Sequence, residues 1–178
     1  MYMFSKKSLL DIWDNWFCEG TNRKALRRVK RASALWHSGK RISKIRAVMM
    51  NNRNIRRFSC EIYPQAVLGE GLYIPHCVGI TVGKTAVIGK HCIIFPNVVF
   101  GAEYSPARKN PSGRRHPKCG DYCIFGANSS IIGAITIGHH VTVGAGSVIT
   151  KDIPDYAIVV GNNRVVGFKD RINDEKEL

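Results

Sequence analysis

Between Thr21 and Arg57 the chain contains no aspartate or glutamate, although lysine and arginine are dense there. No apolar run approaches the ~20 residues needed for a helical membrane span, so no such span is expected. None of the six cysteines (18, 60, 77, 92, 119, 123) forms a C-x-x-C pair, which removes that redox motif and the usual zinc-ligand spacing. They read as small apolar residues in a chain kept in a reducing, cytoplasmic compartment. The opening "MYMFSKKSLLDIWDNWF" has acids inside its apolar stretch and no small-residue cleavage site, so it does not read as a signal peptide.

What is present points to a folded protein. Of the 178 residues, 44% are hydrophobic and 22% charged, and the net charge is +14, so disorder is not the default except at the ends. The charge is uneven: basic before residue 58, acidic in balance in the closing "DRINDEKEL". The basic run reads as a solvated helix face, or as attraction to an anionic surface or ligand. No nucleic-acid partner is expected. In "SLLDIWDNWF", Leu9, Ile12, Trp13, Trp16 and Phe17 share one helical face, and Leu26, Val29, Ile42, Ile45 and Met49 continue an apolar stripe. That stripe packs on the rest of the protein or between protomers, or lies on a membrane surface.

From Glu61 a six-residue period takes over. Ile62, Leu68 and Ile74 are six apart; Val82, Ile88, Ile94 and Phe100 follow after a two-residue offset; Cys119, Phe125, Ile131, Ile137, Val143 and Ile149 keep the step. The next position is often glycine, and the fifth is small or β-branched: Ala66, Ala86, Cys92, Val98, Cys123, Ser129, Val141, Ser147. A spacing of six drifts around a 3.6-residue helix, and a glycine per hexad would cost about 1 kcal/mol each in one. Short strands joined by tight corners fit instead. The period predicts a mainly β fold, a parallel β-helix whose stacked coils bury residues one and five of each hexad. The expected organisation is a basic helical region over 1–57, a β-helix over 58–160 and a tail over 161–178. The period breaks once, at "GAEYSPARKNPSGRRHPK", predicting a loop ejected over 102–118.

"CEIYPQAVLGEGLYIPHCVGITVGKTAVIG" and "RRHPKCGDYCIFGANSSIIGAITIGHHVTVGAGSVITKDIP" resemble the left-handed β-helix acyltransferases, nearest to the serine acetyltransferase type and its relatives that acetylate polysaccharide sugars. The resemblance covers about residues 60–161. It implies a left-handed helix, a homotrimer and acetyl-CoA lying between neighbouring β-helices, with no metal.

Moving an acetyl group to a hydroxyl requires a base, an oxyanion donor, a slot for the CoA arm and positive charge for its phosphates. Histidine suits a base near neutral pH. His37 lies in the basic helical region, and His91, His139 and His140 occupy outward places that read as solvated turns. His76 is also outward, and Glu61 precedes it by nearly one coil of three hexads. That stacking favours an imidazole beside a carboxylate, and the resembling enzymes pair their base with an Asp at the matching position. His76 is thus the candidate base and Glu61 its orienting partner; the alternative is a surface histidine on a corner. The loop's Arg115 and His116 match the family's "RHP", which implies an acceptor-binding and a catalytic role; from composition alone "RRHP" is a solvated basic turn. Gly126, Ala127, Gly144 and Ala145 would let the pantetheine arm approach the backbone, and Lys151 and Arg164 would meet the phosphates.

Two departures bear on the acceptor. Serine-specific relatives carry Asp before the base, where this chain has Pro75, and the basic N-terminal region offers no second acid. The expectation is therefore a sugar hydroxyl of a surface polysaccharide or its precursor, with serine O-acetylation as the alternative and a non-catalytic scaffold behind it. A zinc-dependent carbonic anhydrase of related fold needs a three-histidine site that these spacings do not build.

Overall fold

The computed structural model describes the backbone of residues 9–103 and 113–170, with side chains from residue 22. The apolar face expected from Leu9 to Phe17, part of the ejected loop (104–112) and the acidic end (171–178) lie outside the described side chains. Two helices open the structure, α1 (Leu9–His37) and α2 (Arg41–Phe58). Gly39, with φ +79°, turns the chain between them, and Ser59 ends α2 in the left-handed region, its N–H donating to the Ile55 carbonyl at 2.9 Å.

Short strands follow: β1 (Glu61–Ile62), β2 (Val67–Leu68), β3 (Thr81–Val82), β4 (Val87–Ile88), β5 (Ile93–Ile94), β6 (Val99–Gly101), β7 (Lys118–Cys119), β8 (Ile124–Phe125), β9 (Ser130–Ile132), β10 (Thr136–Ile137), β11 (Thr142–Val143), β12 (Val148–Ile149), β13 (Ala157–Val160) and β14 (Arg164–Phe168). They assemble three faces of a prism of about five turns: β1-β3-β6-β9-β12, β2-β4-β7-β10, and β5-β8-β11-β13-β14. Among the described residues all pairings between coils are parallel, and β14 alone runs antiparallel, against β13. Residues 164–168, expected as tail, thus form a strand. The hexad pattern is realised directly, because its first and fifth residues fill the interior, from Ile62 and Ala66 to Val143 and Ser147.

Where the repeat is regular, partners on adjacent coils are separated by three plain hexads, as Thr81 is from Val99. The first coil is longer by the two-residue offset, so that Glu61 pairs with Thr81. Across the ejected loop the register is recovered, and Val87 pairs with Lys118. The offset is absorbed at the corner around His76, which therefore holds two residues more than the corner above it, and His76 is exposed there.

The helices close the N-terminal end of the coils. Ala25 and Val29 of α1 join the core with Cys60, Ile62 and Ala66. Asn54 Nδ2 of α2 donates to the Ala25 carbonyl at 3.2 Å, and the Cys77 N–H donates to Asn22 Oδ1 at 3.2 Å. Packing thus accounts for Val29 and, at its margin, Leu26. It does not account for the apolar stripe on α2, where Ile42, Ile45 and Met49 remain 74%, 61% and 54% exposed. No described helix is long and apolar enough to cross a membrane.

Candidate active site

Each coil has three corners, and the site residues fall on two of them. The corner from the third face back to the first carries, from the first coil upward, Pro75–Gly79, then Phe95–Val98, Gly126–Ser129 and Gly144–Ser147. His76 therefore stands at the foot of the column formed by Gly126, Ala127, Gly144 and Ala145. With coils ~4.8 Å apart, the top of that column lies roughly 14 Å above it. A side chain on Gly126 would run into the Ala145 backbone, so glycine is required there by the neighbouring coil itself. Asn97 (φ 59°) and Asn128 (φ 61°) take the left-handed position of this corner, and Asn97 Nδ2 donates to Asn128 Oδ1 at 3.1 Å.

The corner from the first face to the second carries Tyr63, Thr85, the return of the loop with Arg115 and His116, and Lys151. His116 is locked there. Its Nδ1 accepts from the Thr85 N–H at 3.3 Å and lies 2.8 Å from Thr85 Oγ1, which fixes the neutral ring with its proton on Nε2. The same hydroxyl accepts from the N–H groups of Arg115 and His116 at 3.0 and 3.2 Å. The ring packs over Gly83, where any side chain would collide with it. Burial, then the charge of Arg115, lowers the His116 pKa, so this imidazole is suited to donating a neutral hydrogen bond. Arg114 secures the loop's return through bonds to the Ile135 and Ala134 carbonyls at 2.8 and 3.0 Å. Sequence reasoning placed Arg114 in the loop without a role and missed Thr85, which acts across the ejected loop and which no local signal marks.

His76 and Glu61 share no hydrogen bond or ion pair. The first coil exceeds three hexads, so Glu61 lies on the first face beside Thr81, at the edge of which His76 projects. The Glu61 carboxylate instead serves Tyr63: hydrogen bonding to it, then its charge, raises the phenol above its ordinary pKa. The Lys84 ammonium lies 5.2 Å over the Tyr63 ring. His76 and His116 occupy opposite edges of the first face, so the chain alone does not bring these two imidazoles together. Lys151 sits above His116, and Arg164 begins β14 beyond the top of the glycine column. His91 and His140, expected as solvated turns, instead stack with Tyr122 and Tyr156 in a ladder on the remaining corner, ring centroids 4.8–5.0 Å apart.

Residues 116–151 match the family model described as bacterial transferase hexapeptide (six repeats). The coils have the hexapeptide repeat of such transferases and match a left-handed β-helix. Among similar proteins, the mitochondrial serine acetyltransferase 3 of Arabidopsis thaliana is 39% identical over 140 residues, covering 78% of this chain and 34% of its own. A serine acetyltransferase of Synechococcus elongatus is 40% identical over 101 residues, covering 57% of this chain and 39% of its own. Solved hexapeptide transferases share the left-handed β-helix. The soybean serine acetyltransferase apoenzyme superposes with a TM-score of 0.70 at 36% identity over 80% of this chain and 56% of that one. The Brucella abortus enzyme in complex with coenzyme A gives 0.71 at 31% identity over 81% and 55%. The chain thus spans between a third and two fifths of those curated relatives' length. These comparisons overturn the polysaccharide-sugar acceptor: the relatives matched are serine acetyltransferases. That expectation rests on Pro75 and the missing N-terminal acids, and the loss of one binding group changes how tightly an acceptor is held without specifying another acceptor.

Proposed function

We propose that this chain is an acetyl-CoA-dependent serine O-acetyltransferase in which His76 is the general base. Residues 58–160 would form the transferase domain behind the helical region 1–57. One observation carries the reading: His76 and the small residues Gly126, Ala127, Gly144 and Ala145 share one corner, in line, over a length suited to an extended pantetheine arm. The Brucella abortus relative was solved with coenzyme A, and a Neisseria gonorrhoeae relative, 35% identical, with serine. In this reading His76 takes the serine hydroxyl proton as the oxygen attacks the thioester carbonyl, then returns it to the departing thiolate. His116 Nε2–H would hold the developing oxyanion, Arg115 the acceptor, and Lys151 and Arg164 the CoA phosphates. The two histidines flank opposite edges of one face, so the complete site requires the facing edge of a neighbouring protomer, in keeping with the homotrimer that the family resemblance implies.

The test is CoA release from acetyl-CoA with L-serine against water and other hydroxyl compounds. Serine-dependent release is expected; its absence at millimolar serine and acetyl-CoA sinks the reading. Pro75→Asp should raise kcat/KM for L-serine by roughly 10–150-fold, the worth of a charge-assisted hydrogen bond of about 1.5–3 kcal/mol to the ammonium group.

We also infer that α2 meets an anionic lipid surface. Ile42, Ile45 and Met49 form one exposed stripe, with Arg46 and Arg53 along one side and Arg41 along the other, the pattern of an interfacial helix. A second copy laid face to face would oppose these cations to one another. The chain should co-sediment with phosphatidylserine vesicles and release with salt. Ile45→Glu should abolish this, and equal binding to neutral phosphatidylcholine vesicles would refute it.

A further inference from the structure

Both residues of the expected base–carboxylate pair have a cysteine as their immediate neighbour: Cys60 precedes Glu61, and Cys77 follows His76. The two sulfurs are 3.0 Å apart, and both thiols are free and buried, 0% and 1% exposed. A disulfide spans about 2.05 Å, so bonding requires the sulfurs to close by about 1 Å. Their backbones are held facing each other. The Cys77 N–H is bonded to Asn22 Oδ1, and Cys60 is fixed between the end of α2 and the Glu61 N–H, which donates to the Ile80 carbonyl at 2.8 Å. Cys92, Cys119 and Cys123 also lie together in the interior, but Cys92 and Cys123 turn their thiols to the Gly120 and Gly138 carbonyls, at 3.4 and 3.1 Å, and no catalytic candidate adjoins the three.

We propose that Cys60 and Cys77 are an oxidative modification site, converted by a peroxide-class oxidant into a disulfide that ties the backbone of Glu61 to that of His76. The thiolate is the nucleophile, and the balance is the same whichever of the two sulfurs is oxidised first. In the order that begins at Cys77, its sulfur attacks one peroxide oxygen; an S–O bond forms, the O–O bond breaks, and the leaving hydroxide takes a proton to become water. The Cys60 sulfur then attacks the sulfenic sulfur; the S–S bond forms, the S–O bond breaks, and a second water leaves with the Cys60 proton. Two thiols lose two electrons and two protons, and the peroxide becomes two waters. The cross-link closes a ring that contains both Glu61 and His76. A displacement of about 1 Å at a positioned base is enough to cost roughly 10²-fold in rate.

The modification stands on geometry alone; its effect on catalysis rests on the proposed role of His76. The test treats the purified full chain with hydrogen peroxide, alkylates it in denaturant and maps the peptides. A linked peptide joining Cys60 to Cys77 is expected, reversed by dithiothreitol and absent from both Cys60→Ala and Cys77→Ala. Serine-dependent CoA release should fall about 10-fold or more in the treated wild type and return with reductant, while Cys60→Ala keeps its rate through the treatment. Full alkylation of both cysteines after treatment overturns the site, as does sulfinic acid on Cys77 without a link. A complete cross-link with unchanged CoA release overturns its coupling to catalysis. If no preparation turns over serine, the functional reading fails, while the peptide map still decides the cross-link.

Discussion

Replacing His76 by alanine is expected to lower kcat by roughly 10²–10⁴-fold, with acetyl-CoA affinity nearly unchanged, the range for a positioned general base. The structure makes this substitution unusually clean. The imidazole is exposed, on the corner lengthened by the two-residue offset, and no hydrogen bond holds it. Nothing in the core depends on it, so folding stability should move by no more than about 0.5 kcal/mol. Steady-state kinetics and a thermal melt on the same preparation separate the two effects. Loss of turnover with an unchanged melt identifies a base; equal turnover identifies a corner residue and ends the mechanism. Glu61→Gln should cost less, since Glu61 engages Tyr63 rather than the imidazole.

Phe100→Ala is the largest stability effect expected. Phe100 and Phe125 are fully buried and meet edge to face, with ring centroids 4.9 Å apart at 71°. Truncating such a ring typically costs about 3–5 kcal/mol, because the coils above and below cannot collapse into the space. For a chain of this size that corresponds to a fall in Tm of roughly 6–20 °C by scanning calorimetry. A shift below about 2 °C would mean that the interior is not packed as described.

The interior is readable because each hexad carries its own instruction: an apolar residue, a small one beside it, a small or branched one in fifth place. Val82 to Ile149 follow it wherever coils of three hexads repeat. The site is readable as residue types and much less as geometry. Glu61 meets His76 only if the first coil holds three plain hexads; it is longer than that, and the extra chain goes to the corner that projects His76. The lock of Thr85 on His116 joins positions on either side of a loop whose path no periodicity encodes. The stacking of His91, Tyr122, His140 and Tyr156 arises because one corner repeats the same left-handed backbone on successive coils, so unrelated aromatic residues are superposed. Pro75 misleads about the acceptor, since it reports a missing contact and not the identity of what binds.

The unequal spacing between paired strands has a consequence for how such a chain can change. Thr142 reaches Ile158 by less than three hexads, Ser130 reaches Val148 by three, Glu61 reaches Thr81 by more, and Val87 reaches Lys118 by way of the whole loop. All four pair in the same parallel manner, so the stack is indifferent to how much chain leaves at a corner, provided that it returns in phase. Doubling the length of an excursion costs only about 0.6 kcal/mol in closure entropy, less than a single poorly filled core position. Corners can therefore be lengthened, exchanged or redecorated by recombination while the interior stays under its own strict selection. Corner chemistry and structural integrity are inherited almost as separate traits, and a chain built this way can change what its corners bind without rebuilding the frame behind them.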